Sequence, residues 1–223
     1  MPERDYVRLF FGKSFTGKTS RMFEEIRAEK RVILLDPKCG SLTRLPGWEH
    51  LWPYYDEQSC RWLGKTFTDY FRKHLRKPFR VVVHQRDFHE QQLDMLCRML
   101  MAMRDCTLAI DELAEYVPPG SPESLPRYTK RAVISGRHEG LRFYGAAQRP
   151  SFVHATVRAN ASAMSFYRMT EPVDLKIAAR YFPKEIASQI FSLPDYVCAE
   201  WSDAHAPFVN ESLRGKFGAP GAK

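Results

Sequence analysis

Residues 12–19 constrain the chain more than any other part of its sequence. They read G-x-x-x-x-G-K-T, the pattern of a phosphate-binding loop, and they directly follow the apolar run 6–11. Glycines at positions 12 and 17 allow backbone angles that turn successive N–H groups toward phosphate oxygens, at the start of the next helix. The predicted nucleotide-binding residues are Gly12, Lys13, Ser14, Phe15, Thr16, Gly17, Lys18, Thr19 and Ser20.

Two residues of this loop have predicted chemical roles. We expect Lys18 to reach the β- and γ-phosphates of ATP, and the Thr19 hydroxyl to bind Mg²⁺. The stretch 18–29 that follows is compatible with a helix, as the motif requires. The sequence therefore predicts a strand, a phosphate-binding loop and a helix in this order.

A pair of acids ends a second apolar segment about ninety residues further along. Residues 106–110 are mostly apolar and lead to Asp111 and Glu112. In P-loop ATPases a buried strand brings an aspartate to the Mg²⁺ shell, and the next glutamate polarises the water that attacks the γ-phosphate. A strand ending in acids is common, but its place after the loop makes the pattern specific. Asp111 is the predicted metal-side acid and Glu112 the predicted catalytic base.

Gln148 follows the next predicted strand, 141–147. A polar residue at the end of the strand beside the acid-bearing one can contact the γ-phosphate and respond to its loss. Gln148 is therefore a predicted sensor, and the alternative is a simple hydrogen bond at the end of a strand.

Length and composition favour one domain with a basic surface. The chain has 223 residues, a formal charge of +8 and a pI near 9.3, which makes a polyanionic partner plausible. No window approaches the ~18 apolar residues of a membrane span, and the first residues lack the apolar core of a signal peptide. We expect a cytoplasmic protein with one domain over 1–213, a flexible tail over 214–223 and no transmembrane segment. The five cysteines form no zinc-binding pattern.

Two further stretches have weaker signals. Residues 37–60 are rich in proline, glycine, tryptophan and tyrosine, which predicts an irregular excursion on the surface. Residues 61–86 carry eight lysines and arginines against one acid, with aromatic residues between them, which predicts a helix with an outward basic face. That face is either simply solvated or a contact surface for the phosphate backbone of DNA or RNA.

Three motifs together resemble the FtsK/HerA superfamily of DNA-pumping ATPases: 109–113 (A-I-D-E-L), 136–138 (G-R-H) and 146–151 (A-A-Q-R-P-S). The short chain and the Gly-Arg-His step look most like genome-packaging ATPases of poxviruses and of tailless, membrane-containing phages. The resemblance covers about residues 6–200. It implies an α/β fold: a three-layer, RecA-like P-loop core of the additional-strand, catalytic-glutamate type. Its mainly parallel sheet would have the order 5-1-4-3-2 plus C-terminal strands.

The resemblance also implies partners and a shared active site. Such ATPases act as homo-oligomeric rings, pentamers or hexamers, that move double-stranded DNA and work with capsid or portal vertex proteins. They act in the host cytoplasm or in association with the virion. An arginine from one subunit completes the site of its neighbour, and Arg137 is the first candidate for this role and Arg149 the second. The alternative for each arginine is a structural salt bridge. The loop interior 13–16 departs from the family in its bulk, and Phe15 is expected to pack against the base or a neighbouring subunit.

The sequence thus predicts an ATP-hydrolysing, Mg²⁺-dependent translocase that packages double-stranded viral DNA. Its catalytic residues would be Lys18, Glu112, Gln148 and Arg137, and its metal ligands Thr19 and Asp111. The close alternative is a zonular-toxin-like or conjugation-type export ATPase, although those proteins usually carry a membrane anchor. A more distant alternative is a small-molecule nucleotide kinase, whose lid the arginine-rich stretch 127–149 would supply. A non-enzymatic nucleotide switch is disfavoured by Glu112.

Overall fold

The computed structural model describes residues 6–38, 45, 47–52, 54–56, 61–63, 65–84 and 90–213, and within these the side chains of 54–56, 61–63 and 65–68 are left aside. The strands are β1 Val7–Phe11, β2 Arg31–Asp36, β3 Glu49–Leu51, β4 Tyr54–Asp56, β5 Arg61–Leu63, β6 Phe79–His84, β7 Thr107–Asp111, β8 Arg142–Ala147, β9 Ala163–Phe166, β10 Cys198–Ser202 and β11 Phe208–Asn210. The helices are α1 Lys18–Ile26, α2 Lys65–His74, α3 Glu90–Met103, α4 Arg127–Ser135, α5 Ala155–Ala159, α6 Pro172–Ala178 and α7 Lys184–Ala187.

Nine of the described strands form one sheet, in the order β11-β10-β9-β1-β8-β7-β2-β6-β3. The strands from β9 to β3 are parallel, whereas β10 runs antiparallel to β9 and β11 antiparallel to β10. The stretch β9-β1-β8-β7-β2 is the expected 5-1-4-3-2 core, and the predicted α/β class is confirmed. The order differs from the prediction beyond β2, where β6 and β3 extend the sheet.

Alternate residues of the central strands face two separate hydrophobic layers. On one face Leu9 and Phe11 of β1 pack with Ile33 of β2 and with residues of α3 and α4. On the other face Phe10 of β1 packs with Met22 and with other residues of α1. Both faces are covered, which is why these strands read as continuous apolar runs in the sequence. The result is the predicted three-layer arrangement of helix, sheet and helix.

Two segments differ from their sequence-based prediction. The stretch 37–60, predicted as irregular, contributes β3 to the main sheet and β4 to a hairpin with β5. The stretch 61–86, predicted as helical before its last strand, is helical only over α2 and begins with β5. Strands of three residues carry too few side chains to show a period of two, so they are hard to recognise in a sequence. The predicted tail, 214–223, lies outside the described residues. No helix in the described part is long and apolar enough to cross a membrane.

A buried ionic cluster attaches α1 to the strands beneath it. Arg8 of β1 is 2% exposed, and its guanidinium donates to Glu25 of α1 at 3.2 Å, to Glu200 of β10 at 2.6 Å and to Ser165 of β9 at 2.8 Å. Arg21 of α1 also pairs with Glu25, at 2.8 Å, so two acids are balanced by two arginines. Burial alone would lower the pKa of Arg8, but the charges of Glu25 and Glu200 outweigh it and raise that pKa. The cluster fixes the helix that follows the phosphate-binding loop.

We predict that Arg8→Met lowers the free energy of unfolding by ~3 kcal/mol, because it leaves a buried carboxylate without its main partner. Urea unfolding followed by circular dichroism measures the change. The matched control is Arg27→Met, since Arg27 pairs with Glu24 on the surface and such pairs contribute ~0.5 kcal/mol. Equal effects of the two substitutions would show that the buried cluster does not stabilise the fold.

Candidate nucleotide-binding site

The predicted site residues meet at one edge of the sheet. Parallel strands place their carboxyl ends together, and β1, β7 and β8 are adjacent in the order β1-β8-β7. The phosphate-binding loop follows β1, Asp111 ends β7 with Glu112 after it, and Gln148 follows β8. Residues up to 136 positions apart in the sequence thereby lie next to one another at the carboxyl ends of these strands.

The two glycines of the loop are required by close neighbours. Gly17 has a φ of +102° at the start of α1, and a Cβ atom there would lie 2.6 Å from Cδ1 of Tyr196. A Cβ atom on Gly12 would lie 2.5 Å from Cβ of Tyr167. The loop is also fixed by its backbone, because the Tyr196 N–H donates to the Thr16 carbonyl at 2.8 Å. These contacts hold the backbone of the loop in one conformation.

Lys18 and Thr19 lie at the start of α1, where the helix dipole is positive. Lys18 is 6% exposed, and this burial lowers the pKa of its ammonium while the carboxylates of Asp111 and Glu112 act in the opposite direction. The Thr19 hydroxyl donates to Asp111 Oδ1 at 2.9 Å. Burial raises the pKa of Asp111, although the Thr19 hydrogen bond and the two nearby lysines oppose this rise.

The Thr19 and Asp111 oxygens fit a Mg²⁺ site. Mg²⁺ is usually held by one or two carboxylates together with substrate phosphates and waters, rather than by a full cage of protein ligands. The described residues include no group of three or more His, Cys, Asp or Glu that could hold a metal ion. A hydroxyl and a carboxylate already in contact beside the phosphate-binding loop are the donors that Mg²⁺ shared with a nucleotide requires.

Glu112 is held by contacts from two other strands. It is 7% exposed and has a φ of +65°, a left-handed conformation that is strained for this residue type and frequent at functional sites. Lys38, after β2, donates to Glu112 Oε2 at 2.7 Å. The backbone N–H and the side-chain amide of Gln148 each lie 3.4 Å from a Glu112 oxygen. The structure thus brings Gln148 to Glu112 at the carboxyl ends of β8 and β7.

Lys38 is the site residue that the sequence reasoning missed. Burial alone would lower the pKa of this ammonium, but its hydrogen bond to Glu112 and the surrounding acids outweigh that effect and raise the pKa. The sequence contained a usable signal, because strand 2 neighbours strand 3 in the order 5-1-4-3-2. A polar residue just after strand 2 therefore lies beside the acids that end strand 3. A lone lysine next to a proline did not suggest this by itself.

The two candidate arginines lie at opposite edges of the sheet. Arg149 follows β8 at the loop edge and donates to the buried Asp174 at 2.8 Å, while its guanidinium lies 4.4 Å from the Phe152 ring centroid. Arg137 lies in the 3₁₀ turn Gly136–Glu139 before β8, and its exposed side chain has no hydrogen-bond partner among the described residues. At ~3.3 Å per residue the intervening strand separates Arg137 from its own loop by more than ~15 Å. Arg137 therefore lies too far from its own loop to contact a nucleotide bound there.

The interior of the loop is exposed. Lys13 and Ser14 are exposed, Ser20 is half-buried, and the Phe15 side chain is 81% exposed at a φ of +65°. Thr16 is the exception, since it is buried and its hydroxyl donates to the Lys13 carbonyl at 2.8 Å. Phe15 thus makes little contact with the described part of its own chain, and its packing on a base or on a neighbouring subunit stays a prediction.

Solved structures with this fold include a viral packaging enzyme. Comparisons with protein-family models and with curated protein sequences find no match. The genome-packaging NTPase B204 of Sulfolobus turreted icosahedral virus 2 matches with a TM-score of 0.70 and 17% identity, over 93% of this chain and 96% of that chain. The conjugative coupling protein TrwBdeltaN70 gives 0.61 and 13%, over 91% and 83%. The N-terminal domain of zonular occludens toxin from Neisseria meningitidis gives 0.50 and 11%, over 93% of each chain. The predicted resemblance is confirmed at the level of the fold.

We predict that Asp111→Asn stabilises the protein in the absence of ligands. The raised folded-state pKa of Asp111 means that its ionised form opposes folding, so stability decreases as pH rises through that pKa. The amide removes this charge and can still accept from Thr19. We expect the Tm at neutral pH, without Mg²⁺ or nucleotide, to rise by about 2–4 °C, the shift that ~1 kcal/mol gives in a domain of this size. Differential scanning calorimetry measures it, with the exposed Asp203→Asn as control; a fall in Tm would contradict the prediction.

Proposed function

We propose that this protein hydrolyses ATP and couples hydrolysis to the movement of double-stranded DNA during genome packaging. The observation that carries the proposal is the meeting of a complete phosphate-binding loop with Asp111, Glu112 and Gln148 at one edge of the sheet. A kinase would need a lid and an acceptor pocket instead of a buried base. A simple nucleotide switch would have no use for a carboxylate fixed in a strained conformation next to the loop.

Each residue of the site has a role in the proposed reaction. Lys18 and the loop N–H groups hold the β- and γ-phosphates, and Thr19 and Asp111 would hold the metal. Bound Mg²⁺ would neutralise charge on the β- and γ-phosphate oxygens. Glu112 accepts the proton of the attacking water. To do so it gives up its contact with the Lys38 ammonium at Oε2 or the longer contact with the Gln148 backbone N–H at Oε1. Gln148 contacts Glu112, and in the proposed reaction it also contacts the γ-phosphate and responds to loss of that phosphate.

Packaging is favoured over conjugative or toxin-type export by the structural likeness. The TM-score is 0.70 for the packaging NTPase, against 0.61 for the coupling protein and 0.50 for the toxin domain. The structure of B204 with AMPPCP matches with a TM-score of 0.67, which supports ATP as the nucleotide. We accordingly propose a homo-oligomeric ring, a pentamer or hexamer, of a single ATPase domain over 1–213. It would work with capsid or portal vertex proteins in the host cytoplasm or on the virion.

A basic surface beside α2 supports a DNA partner. The end of α2 and the segment after it, up to the first residues of β6, carry exposed bases: Arg72, Lys73, Arg76, Lys77 and Arg80. Clustered bases of this kind gain binding free energy from the release of counterions by DNA, and the gain weakens as salt increases. The net charge of +8 points in the same direction.

We predict that long duplex DNA stimulates ATP hydrolysis at low salt and that Glu112→Gln reduces the stimulated rate by ~10²–10⁴, the usual contribution of a general base. Phosphate release measures the rate, and a fluorescent ATP analogue checks that the variant still binds nucleotide. Glu115→Gln is the matched control, because Glu115 is an exposed acid in the next turn and should leave the rate unchanged. Identical rates with and without DNA, together with phosphorylation of a nucleoside monophosphate, would refute the translocase in favour of a kinase.

We predict that Arg137 acts on the site of a neighbouring copy. Arg137→Ala and Glu112→Gln should each be nearly inactive, whereas a mixture of the two variants should regain activity by about tenfold over either alone, since arginines in trans accelerate hydrolysis by ~10³ or more. The gain comes from sites that combine Glu112 of one variant with Arg137 of the other. A mixture of Arg137→Ala with the double variant Arg137→Ala/Glu112→Gln cannot form such sites and is the control. A rate equal to the average of the separate variants would show that Arg137 does not act in trans.

A further inference from the structure

The phosphate-binding loop presents an aromatic ring to solvent. Phe15 is 81% exposed and has a φ of +65°, an unusual conformation for an aromatic residue. Lys13, two residues earlier, is also exposed, so the loop presents a phenyl ring and a positive charge to solvent. The loop needs glycines at positions 12 and 17 for phosphate binding, but nothing in that task requires a phenyl ring directed outward. The ring therefore suggests a contact outside its own chain.

A groove lies at the opposite edge of the sheet, next to Arg137. It has a volume of about 310 Å³, at the lower end of the ~300–1,000 Å³ range of ligand pockets. Its lining is more polar than apolar: the apolar part comes from the start of β1 and from the ends of α4, α5 and β10, and the polar part includes Arg137 and Asp203. Ile134, also in its lining, is 48% exposed, which is high for an aliphatic residue. Asp203 is exposed and places a negative charge in the groove.

We infer that the groove of one copy receives Phe15 of a second copy, with Lys13 of that copy next to Asp203 and with Arg137 directed at its nucleotide. The inference rests on the proposed function, because Arg137 has a role only where the loop edge of one copy meets the amino edge of the next. Three features of the loop edge match three features of the groove: a ring with the exposed Ile134, a lysine with an aspartate, and a nucleotide with an arginine. Charge complementarity of this kind fixes the register of an interface.

The contact joins two different surfaces, so it is heterologous and repeats from copy to copy. Such contacts close into rings when the rotation between copies allows it. Phe15 would serve as the aromatic anchor, and anchors that fill a pocket provide much of the binding energy in interfaces. Since the ring lies on the phosphate-binding loop itself, docking would also link the loop of one subunit to the arginine of its neighbour.

Photo-crosslinking from position 15 tests the inference. Phe15 is replaced by benzoylphenylalanine, and the protein is irradiated with Mg²⁺, an ATP analogue and duplex DNA, as a mixture of ¹⁵N-labelled and unlabelled chains. Mass spectrometry then identifies the peptides joined between labelled and unlabelled chains. We expect cross-links to residues 132–137 and 159–162 of another copy. Benzoylphenylalanine at Phe191, another exposed aromatic residue, is the control and should not reach this groove.

A matched pair of alanines on α5 sharpens the test. Ala159 lines the groove whereas Ala155, also exposed and at the other end of this short helix, does not. Ala159→Trp should fill the groove and reduce the cross-link yield by about tenfold, and Ala155→Trp should leave it unchanged. Equal yields for the two variants, or cross-links confined to one chain or to other surfaces, would overturn the inference.

The same preparations separate this inference from the proposed function. DNA-stimulated hydrolysis without cross-links in the groove would refute the Phe15 contact and leave the translocase standing. Cross-links in the groove without any stimulation by DNA would refute the translocase and leave the contact between copies standing.

Discussion

The strands β1, β8 and β7 are parallel neighbours, and the rest of the structure depends on this alignment. The hydrogen bond from Thr19 to Asp111 forms only because of it. These strands all end at the same edge, so the residues that follow them meet although the chain separates Thr19 from Asp111 by 92 positions. Both faces of the strands are buried under helices, which fixes the direction and register of each strand. A slip of one residue in β7 would turn Asp111 away from Thr19 and dismantle the site.

Burial at the site destabilises the charged forms of two of its side chains. Lys18 and Asp111 are nearly buried, and in each case desolvation is the largest influence on the pKa and disfavours the charged form. Glu112 adds a strained backbone angle. The ionic cluster around Arg8 lies beneath α1 and fixes this helix to β1 and β10. A nucleotide with its metal ion would restore the balance, because phosphate charge attracts the lysine and the cation attracts the carboxylate. Strain and burial of this kind are frequent features of functional sites.

The sequence predicted the parts of this arrangement that depend on local pattern or on strand order. The loop glycines, Asp111 and Gln148 each follow an apolar run, and the order 5-1-4-3-2 places those runs side by side. Lys38 was missed because its partner Glu112 belongs to another strand, and no local pattern marks a lysine after a proline as part of a site. Strand β3 was missed because three residues show no period. The partner of Arg149 depends on how α6 packs, which one sequence does not specify.

The two candidate arginines differ in their position relative to the sheet and in their contacts within the chain. Arg149 lies at the loop edge, and its pairing with the buried Asp174 gives it a structural role in its own chain. Arg137 lies at the other edge, exposed and without a hydrogen-bond partner in the described part of the chain. Phe15, like Arg137, is exposed, but it lies at the loop edge of the sheet, opposite to Arg137. In the proposed contact, a single chain supplies both halves of one interface at opposite ends of its strands, and a second copy completes the nucleotide site by bringing these halves together.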